Sequence, residues 1–266
     1  AVAQANVVGG VTYYYTVGEK ATIDVETEVA AGEPAVDVGN SGIDENDVKN
    51  ALGNADTEKS LADAAANLVN APDVVGTKDE AIAVLGDKYT EGTDTVTVVV
   101  EPYLSVTVEA YDNANQALSL DIEAFYNVKA TTASTPAQMT DSNTAPLKTA
   151  VPMTVTTPIT ITIPLPEAIG DVADGTAYVT HFKSDNGPIY VYEGEVTKDD
   201  NKNKYTLTFT NPNGFSSMVV TLSPSVAVIG ETPYDSLQDA VTAANGTATA
   251  PTTIKLVADV TEDGDV

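Results

Sequence analysis

The period of the apolar positions changes twice along the first third of the chain. In "ATIDVETEV", Ile23, Val25 and Val29 fall on one side of an extended chain and Asp24, Glu26 and Glu28 on the other. That two-residue period is the mark of a half-buried strand, and "VTYYYTV" before it, with Gly18 as a turn between them, extends the strand pattern over Val11 to Ala30. From Ser41 to Tyr89 the period lengthens. Alanine becomes frequent and β-branched residues thin out. Val48 and Leu52 stand four apart before Gly53, and Leu61, Ala65 and Leu68 form a second stripe that Pro72 ends. Thr77 and Glu80 have the spacing of a capping box, and Gly86 closes the helix they open. Two or three short amphipathic helices are predicted here.

The two-residue period returns at Thr93. "DTVTVVVE" is almost continuously apolar, as suits a central strand. Leu104, Val106 and Val108 then alternate with Ser105, Thr107 and Glu109. Leu118, Leu120, Ile122, Ala124, Tyr126 and Val128 make one apolar face opposite Asp121, Glu123, Asn127 and Lys129. Residues 131–149 are rich in Thr, Ser, Ala and Pro and read as a linker or long loop. Beyond them Ile159, Ile161, Ile163 and Leu165 alternate again. "TAYVTHFKS" and "PIYVYEGEV" flank Asp185-Asn186-Gly187 as a hairpin, and "KYTLTFTNP" and "FSSMVVTL" supply two more strands around Asn213-Gly214. Strands about every ten residues, separated by turn signals, point to a sandwich. In the tail, "VAVIG" is a short strand. Asp235 and Gln238 are placed to cap a helix bearing Leu237, Val241 and Ala244, Asn245-Gly246 to stop it, and "TTIKLVADV" is a further strand.

The fold expected is therefore mainly β with a small helical insertion. It consists of an α+β N-terminal unit over 1–130 with the insertion at about 41–90, the linker or loop 131–149, an antiparallel β-sandwich over 150–225, and a helix-plus-strand tail over 226–266.

Composition narrows the chemistry. The 266 residues are enough for one large domain or two ordinary ones, and 42% are hydrophobic, which permits a real core. Acids outnumber bases 39 to 12, for a net charge of −27. Every base is a lysine, so the bidentate guanidinium that serves phosphate and guanine recognition is missing. Such a surface repels a nucleic-acid backbone and anionic membranes, so neither is an expected partner. With no cysteine, thiolate catalysis, disulfides and cysteine-bound zinc are excluded. No apolar run of about 18 residues is present to span a membrane as a helix. No basic segment followed by an apolar one opens the sequence, and a start at Ala1 without Met is expected of a processed or excised piece. Leu165-Pro166-Glu167-Ala168 begins like a sortase-type anchor but lacks the Thr-Gly.

Candidate chemistry is sparse. His181 is the only imidazole and stands in a strand pattern beside Phe182, and no G-x-S-x-G elbow offers it a nucleophile. Among 39 acids, carboxylate pairs at glycosidase spacing arise by chance, and the absence of tryptophan removes a common sugar platform. Calcium is the metal considered, at Asp44-Glu45-Asn46-Asp47, Asp199-Asp200-Asn201 and Glu262-Asp263-Gly264-Asp265. None of these has the spacing of an EF-hand loop, and Lys198, Lys202 and Lys204 dilute the second. Tyr13-Tyr14-Tyr15 and the pair Tyr190 and Tyr192 are candidates for stacking on a glycan or a partner, or are simply good strand formers. An intramolecular isopeptide bond at Lys129 would require a buried lysine, whereas the alternation places it on the polar face. No catalytic, cofactor-binding or metal-binding residue is assigned.

Several stretches, covering roughly Thr93 to Val266 apart from the Thr/Pro segment, carry a resemblance. "PITITIPLPEAI", "AYVTHFKSDNGPIYVYEGEV" and "YTLTFTNPNGFSSMVVTLS" resemble modules of large cell-surface proteins from gut Firmicutes and related Gram-positive bacteria. "TVTVVVEPYLSVTVEAYD" with "LSLDIEAFYNVKATT" is similar to the segment that commonly precedes them. "VAVIGETPYDSLQDAVTAA" with "TTIKLVADVTEDGDV" resembles the start of a right-handed parallel β-helix, of which only one rung is present. The resemblance implies an N-terminal fragment of a longer extracellular, cell-surface or cell-wall protein. It implies a non-catalytic structural or adhesive module whose partners are other domains of that protein and a glycan or host surface protein. The alternatives are a carbohydrate-binding module, or the front of a polysaccharide-degrading β-helix enzyme with its active site outside this chain.

Overall fold

The computed structural model describes residues 3–8, 11–16, 25–171, 173, 175–183, 187–199, 204–247 and 252–259, the first two segments by their backbone alone. The fold is mainly β with a few short helices. Two compact units are present, one formed by Ala1–Val29, Ala66–Val100 and Val128–Thr149 and the other by Ala30–Ala65, Glu101–Asn127 and Ala150–Val266.

In the first unit, β1 (Ala3–Val8) pairs antiparallel with β2 (Val11–Thr16). Gly18 and Ile23 lie outside the described residues. Strand β3 (Glu26–Val29) runs parallel to Thr97–Val100, and the Thr27 hydroxyl donates to the Val69 carbonyl at 3.1 Å. The capping box read from the sequence is present. Thr77 Oγ1 accepts from the Glu80 N–H at 3.2 Å, and the Glu80 carboxylate accepts from the Thr77 N–H at 2.8 Å. Residues 131–149 are held by lysines. Lys88 Nζ donates to the carbonyls of Asp141 and Thr144 at 2.5 and 2.6 Å, and Lys148 Nζ donates to the Asp73 carbonyl. This stretch was expected to be a linker or loop, yet its second half belongs to a strand, Thr144–Pro152.

In the second unit, β4 (Ala35–Asp37) runs parallel to Ser105–Thr107. Two helices follow, α1 (Glu45–Leu52), ended at Gly53 as expected, and α2 (Ala55–Ala65). Two further helices, α3 (Pro72–Val75) and α4 (Lys78–Leu85), belong to the first unit. Strands β5 (Thr97–Asp112) and β6 (Ala117–Thr131) contribute to both units. Along β6 every second residue from Leu118 to Val128 is buried, the face that its alternation predicts.

The remaining strands are β7 (Thr144–Pro152), β8 (Ile159–Leu165), β9 (Thr176–Phe182), β10 (Ile189–Asp199), β11 (Lys204–Asn211) and β12 (Ser217–Thr221). A four-residue helix, α5 (Glu167–Gly170), follows β8. One ten-stranded mixed sheet results, in the order β3-β5-β6-β12-β9-β10-β11-β8, with β4 also beside β5 and β7 beside β6. From β6 to β8 its neighbours are antiparallel. The Asn213-Gly214 turn does not close a hairpin, because β12 crosses over to lie between β6 and β9. Ile159, Ile161 and Ile163 of β8 are buried opposite Asn211, Phe209 and Leu207. On the other face threonine hydroxyls pair across the strands, Thr162 with Thr208 at 3.0 Å and Thr197 with Thr206 at 2.9 Å. Helices α1 and α2 pack on β8, and the buried Thr57 hydroxyl donates to the Thr160 carbonyl at 2.9 Å.

The tail has β13 (Ala227–Ile229) between β14 (Thr232–Tyr234) and β15 (Lys255–Leu256), with α6 (Leu237–Thr247) between the last two in sequence. Its cap is Ser236, whose hydroxyl accepts from the Asp239 N–H at 3.1 Å, rather than the neighbouring Asp235, and the helix runs past Asn245. No helix among the described residues is long and apolar enough to cross a membrane.

Candidate functional site

The alternation of β9 puts Ala177, Val179 and His181 on one face and Thr180 and Phe182 on the other. The register sets His181 opposite Tyr190 of β10 and Met218 of β12, at the centre of three adjacent strands. His181 is fully buried. Phe182 packs on the opposite face with Val219 and Val228.

Both ring nitrogens of His181 are engaged. Nδ1 lies 3.1 Å from the Tyr192 hydroxyl and Nε2 2.9 Å from the Ser216 hydroxyl. Ser216 in turn donates to the Phe182 carbonyl at 2.7 Å, and Tyr192 accepts from the Asn213 side-chain amide at 2.9 Å. A hydroxyl has one hydrogen and a carbonyl can only accept. With the Ser216 hydrogen committed to Phe182, Ser216 must accept from His181, so the ring proton is on Nε2. Nδ1 is then bare and accepts from Tyr192. The four bonds run in one direction, Asn213 to Tyr192 to His181 to Ser216 to Phe182, and each hydrogen is used once. Burial, helped by the positive charge of Lys183, lowers the His181 pKa to about 4, so the ring is neutral at pH 7.

The turn that delivers Asn213 and Ser216 is built from its own side chains. The buried Asn211 amide donates to the Gly214 carbonyl, and Asn211 Oδ1 accepts from the Asn213 N–H at 3.0 Å. Gly214 has φ +72°, where a side chain is strained, and a Cβ there would come within 3.0 Å of Lys183 Nζ. Tyr190 and Tyr192 are half-buried, with rings nearly parallel, 9° apart, at 6.3 Å. Tyr192 continues the stack onto the buried Phe209 at 6.4 Å, and burial raises the pKa of its phenol.

This geometry bears directly on acyl-transfer chemistry. A serine nucleophile must donate its hydrogen to the imidazole, which acts as base. Here the bond runs the other way, with His181 as donor and Ser216 as acceptor. The sequence placed His181 beside Phe182 in a strand. Tyr192, Asn213 and Ser216 were not connected with it, although the Ala177-Val179-His181 alternation already places the ring on a core-facing side.

The other candidates are dispersed. Asp44 caps α1, accepting from the Asn46 N–H at 2.8 Å. Glu45 pairs with Lys49 at 2.8 Å and Asp47 with Lys204 at 2.5 Å. A groove of about 240 Å³ beside this edge is lined by Ile43, Pro164, Leu165 and Pro166, with the Asp47–Lys204 pair at its margin. Asp199 ends β10, while Asp200, Asn201 and the Glu262-Asp263-Gly264-Asp265 run lie outside the described residues. Among the described residues no three His, Cys, Asp or Glu side chains are grouped to hold a metal ion. Tyr13-Tyr14-Tyr15 lies on β2, its side chains outside the described residues, and Lys129 on β6 is half-buried rather than exposed. No family model matches the chain, and no curated protein or solved structure matches it either.

Proposed function

We propose that this chain is a non-catalytic structural or adhesive module of a secreted bacterial cell-surface protein, working outside the cell beside other domains of the same protein. The observation that carries its non-catalytic part is the direction of the hydrogen bonds at His181; the cell-surface part rests on the resemblance of the sequence. The only imidazole in the chain is spent as a neutral bridge between β9, β10 and the 211–216 turn. Its neighbour Ser216 is an acceptor in that bridge and is not activated as a nucleophile. The strongly acidic surface favours solubility and suits contacts with a glycan or a host surface protein rather than with nucleic acid. Two measurements test the reading. Antibodies to the purified chain should label intact cells of the source organism without permeabilisation; labelling confined to permeabilised cells overturns the location. The purified chain should show no turnover on hydrolase substrates; turnover abolished by His181→Gln overturns the non-catalytic assignment.

A carbohydrate-binding module is the second reading. The parallel half-buried rings of Tyr190 and Tyr192 favour it, since flat aromatic faces stack on sugars. Glycan-array hits lost in Tyr190→Ala would support it, and an empty array would remove it.

A further inference from the structure

Another proton on His181 upsets the run of hydrogen bonds around it. A proton added at Nδ1 makes both ring nitrogens donors, so Tyr192 can no longer donate to the ring and must accept from it. The Tyr192 oxygen would then face two donors, Nδ1–H and the Asn213 amide, while its own hydrogen loses its acceptor. The Tyr192 link can then survive only with its direction reversed, on an oxygen shared by two donors and with the phenol hydrogen deprived of its buried acceptor, which weakens it.

Among the described residues no opposite charge compensates the new one. Just beyond β9 the nearby charged group is Lys183, which repels an imidazolium. From β10 the ring faces Tyr190 and Tyr192, both neutral phenols. From β12 and the 211–216 turn it faces Met218, Ser216 and Asn213, and that segment contains no ionisable side chain. A fully buried cation without a counter-charge must reach water.

The part able to move is the turn. Asn211 ties it into a rigid piece through Gly214 and Asn213. Asn211 itself stays in β11 opposite Ile159; beyond that strand the turn's hydrogen bonds outward, among the described residues, are few: Asn213 to Tyr192, Ser216 to His181 and Phe182, and the long 3.4 Å contact from the Ile122 N–H to the Ser216 carbonyl. Three of these four meet at or next to the imidazole.

We propose that His181 is an acid-triggered latch, whose protonation at Nδ1 breaks the Tyr192 link and releases the 211–216 turn from β9 and β10 while the rest of the sheet stays folded. At neutral pH the latch is closed. It opens as the pH falls toward about 4, the value at which burial and Lys183 place the ring.

The test exploits a property of the sequence: with one histidine, the ring signals of the whole chain in an NMR titration belong to His181. In the full chain taken from pH 7 to pH 3, the ring, the Asn213 side-chain amide and the Ser216 backbone amide should shift with one midpoint near 4. The amides of β8 should keep their dispersion through that midpoint. Tyr192→Phe removes the donor that stabilises the neutral ring, so its midpoint should rise by roughly half a pH unit or more. His181→Gln, whose amide can accept from Tyr192 and donate to Ser216, should abolish the step in the turn amides. If the ring titrates without the turn, or only as all strand signals collapse together, the latch is wrong. An unchanged midpoint in Tyr192→Phe, or a step that survives in His181→Gln, overturns it as well. Wild type and Tyr192→Phe decide the matter even if His181→Gln does not fold.

Discussion

Around α1, Asp44, Glu45 and Asp47 each find a partner at the water-exposed edge of the fold, in a backbone N–H, Lys49 and Lys204. Around His181, four side chains find theirs where the central ring is out of water. On paper both regions are fully hydrogen-bonded. They differ in what replaces a lost bond. At the α1 edge water takes the vacated position, so a pair there adds little to stability. At His181 nothing does, so a lost partner leaves a buried donor or acceptor at full desolvation cost. The density of charge along the sequence is therefore a poor guide to where polar groups matter in this protein.

The hardest blow to that contrast is His181→Leu, which keeps bulk and removes both ring nitrogens. The Tyr192 hydroxyl loses its acceptor and Ser216 its donor, at a cost of about 3 kcal/mol in urea denaturation. A loss as small as that of an exposed substitution would show that water enters the site freely.

Acid should separate the two regions next. His181 carries a proton below about 4 when folded and below 6.5, its ordinary value, when unfolded. Between those values the unfolded chain binds the extra proton. The destabilisation is therefore absent above pH 6.5, grows as the pH falls and levels off below about 4. The distance between those values corresponds to roughly 3 kcal/mol. The quantity to measure is the difference between wild type and His181→Gln across pH 7 to 4, in which contributions common to both chains cancel. Parallel stability curves would show that the ring keeps an ordinary pKa.

Thr57 is an intermediate case, a single buried hydroxyl that donates to the Thr160 carbonyl and accepts from the Asn54 amide at 3.0 Å. Thr57→Val preserves shape and leaves that carbonyl without its side-chain donor, on the side of β8 that α1 and α2 cover. A loss of about 1 kcal/mol in thermal or urea denaturation is expected. No loss would mean that the helices do not seal this side of β8 from water.

How much of this was legible beforehand depended on whether a feature is local. The β6 face, the Thr77 capping box and the Gly53 and Gly86 stops are set by residues within a few positions of one another, and the periodicity exposed them. The cap of α6 was misplaced by one residue because Asp235 and Ser236 are adjacent and both suit the role. The strand within 131–149 was hidden by its Thr- and Pro-rich composition, and its position beside β6 comes from the sheet. The passage of β12 between β6 and β9, and with it the meeting of residues 181, 192, 213 and 216, follows from topology that no spacing encodes.

The smallest expected effect is the most useful control. Lys204→Met keeps the aliphatic stem and deletes the ammonium that pairs with Asp47 at 2.5 Å. Asp47 lifts the Lys204 pKa above its usual value, with Asp44 and Asp199 adding to the pull. The same three acids repel one another once the cation is gone, so a naive count of charges predicts a clear destabilisation. The exposure of the lysine argues otherwise, because water and salt screen both the attraction and the repulsion. The denaturation midpoint should stay unchanged within error in 0.15 M salt, and separate from wild type only at low ionic strength. A large, salt-insensitive loss would mean that this edge is as dry as the His181 centre, and the contrast between the two regions would fail.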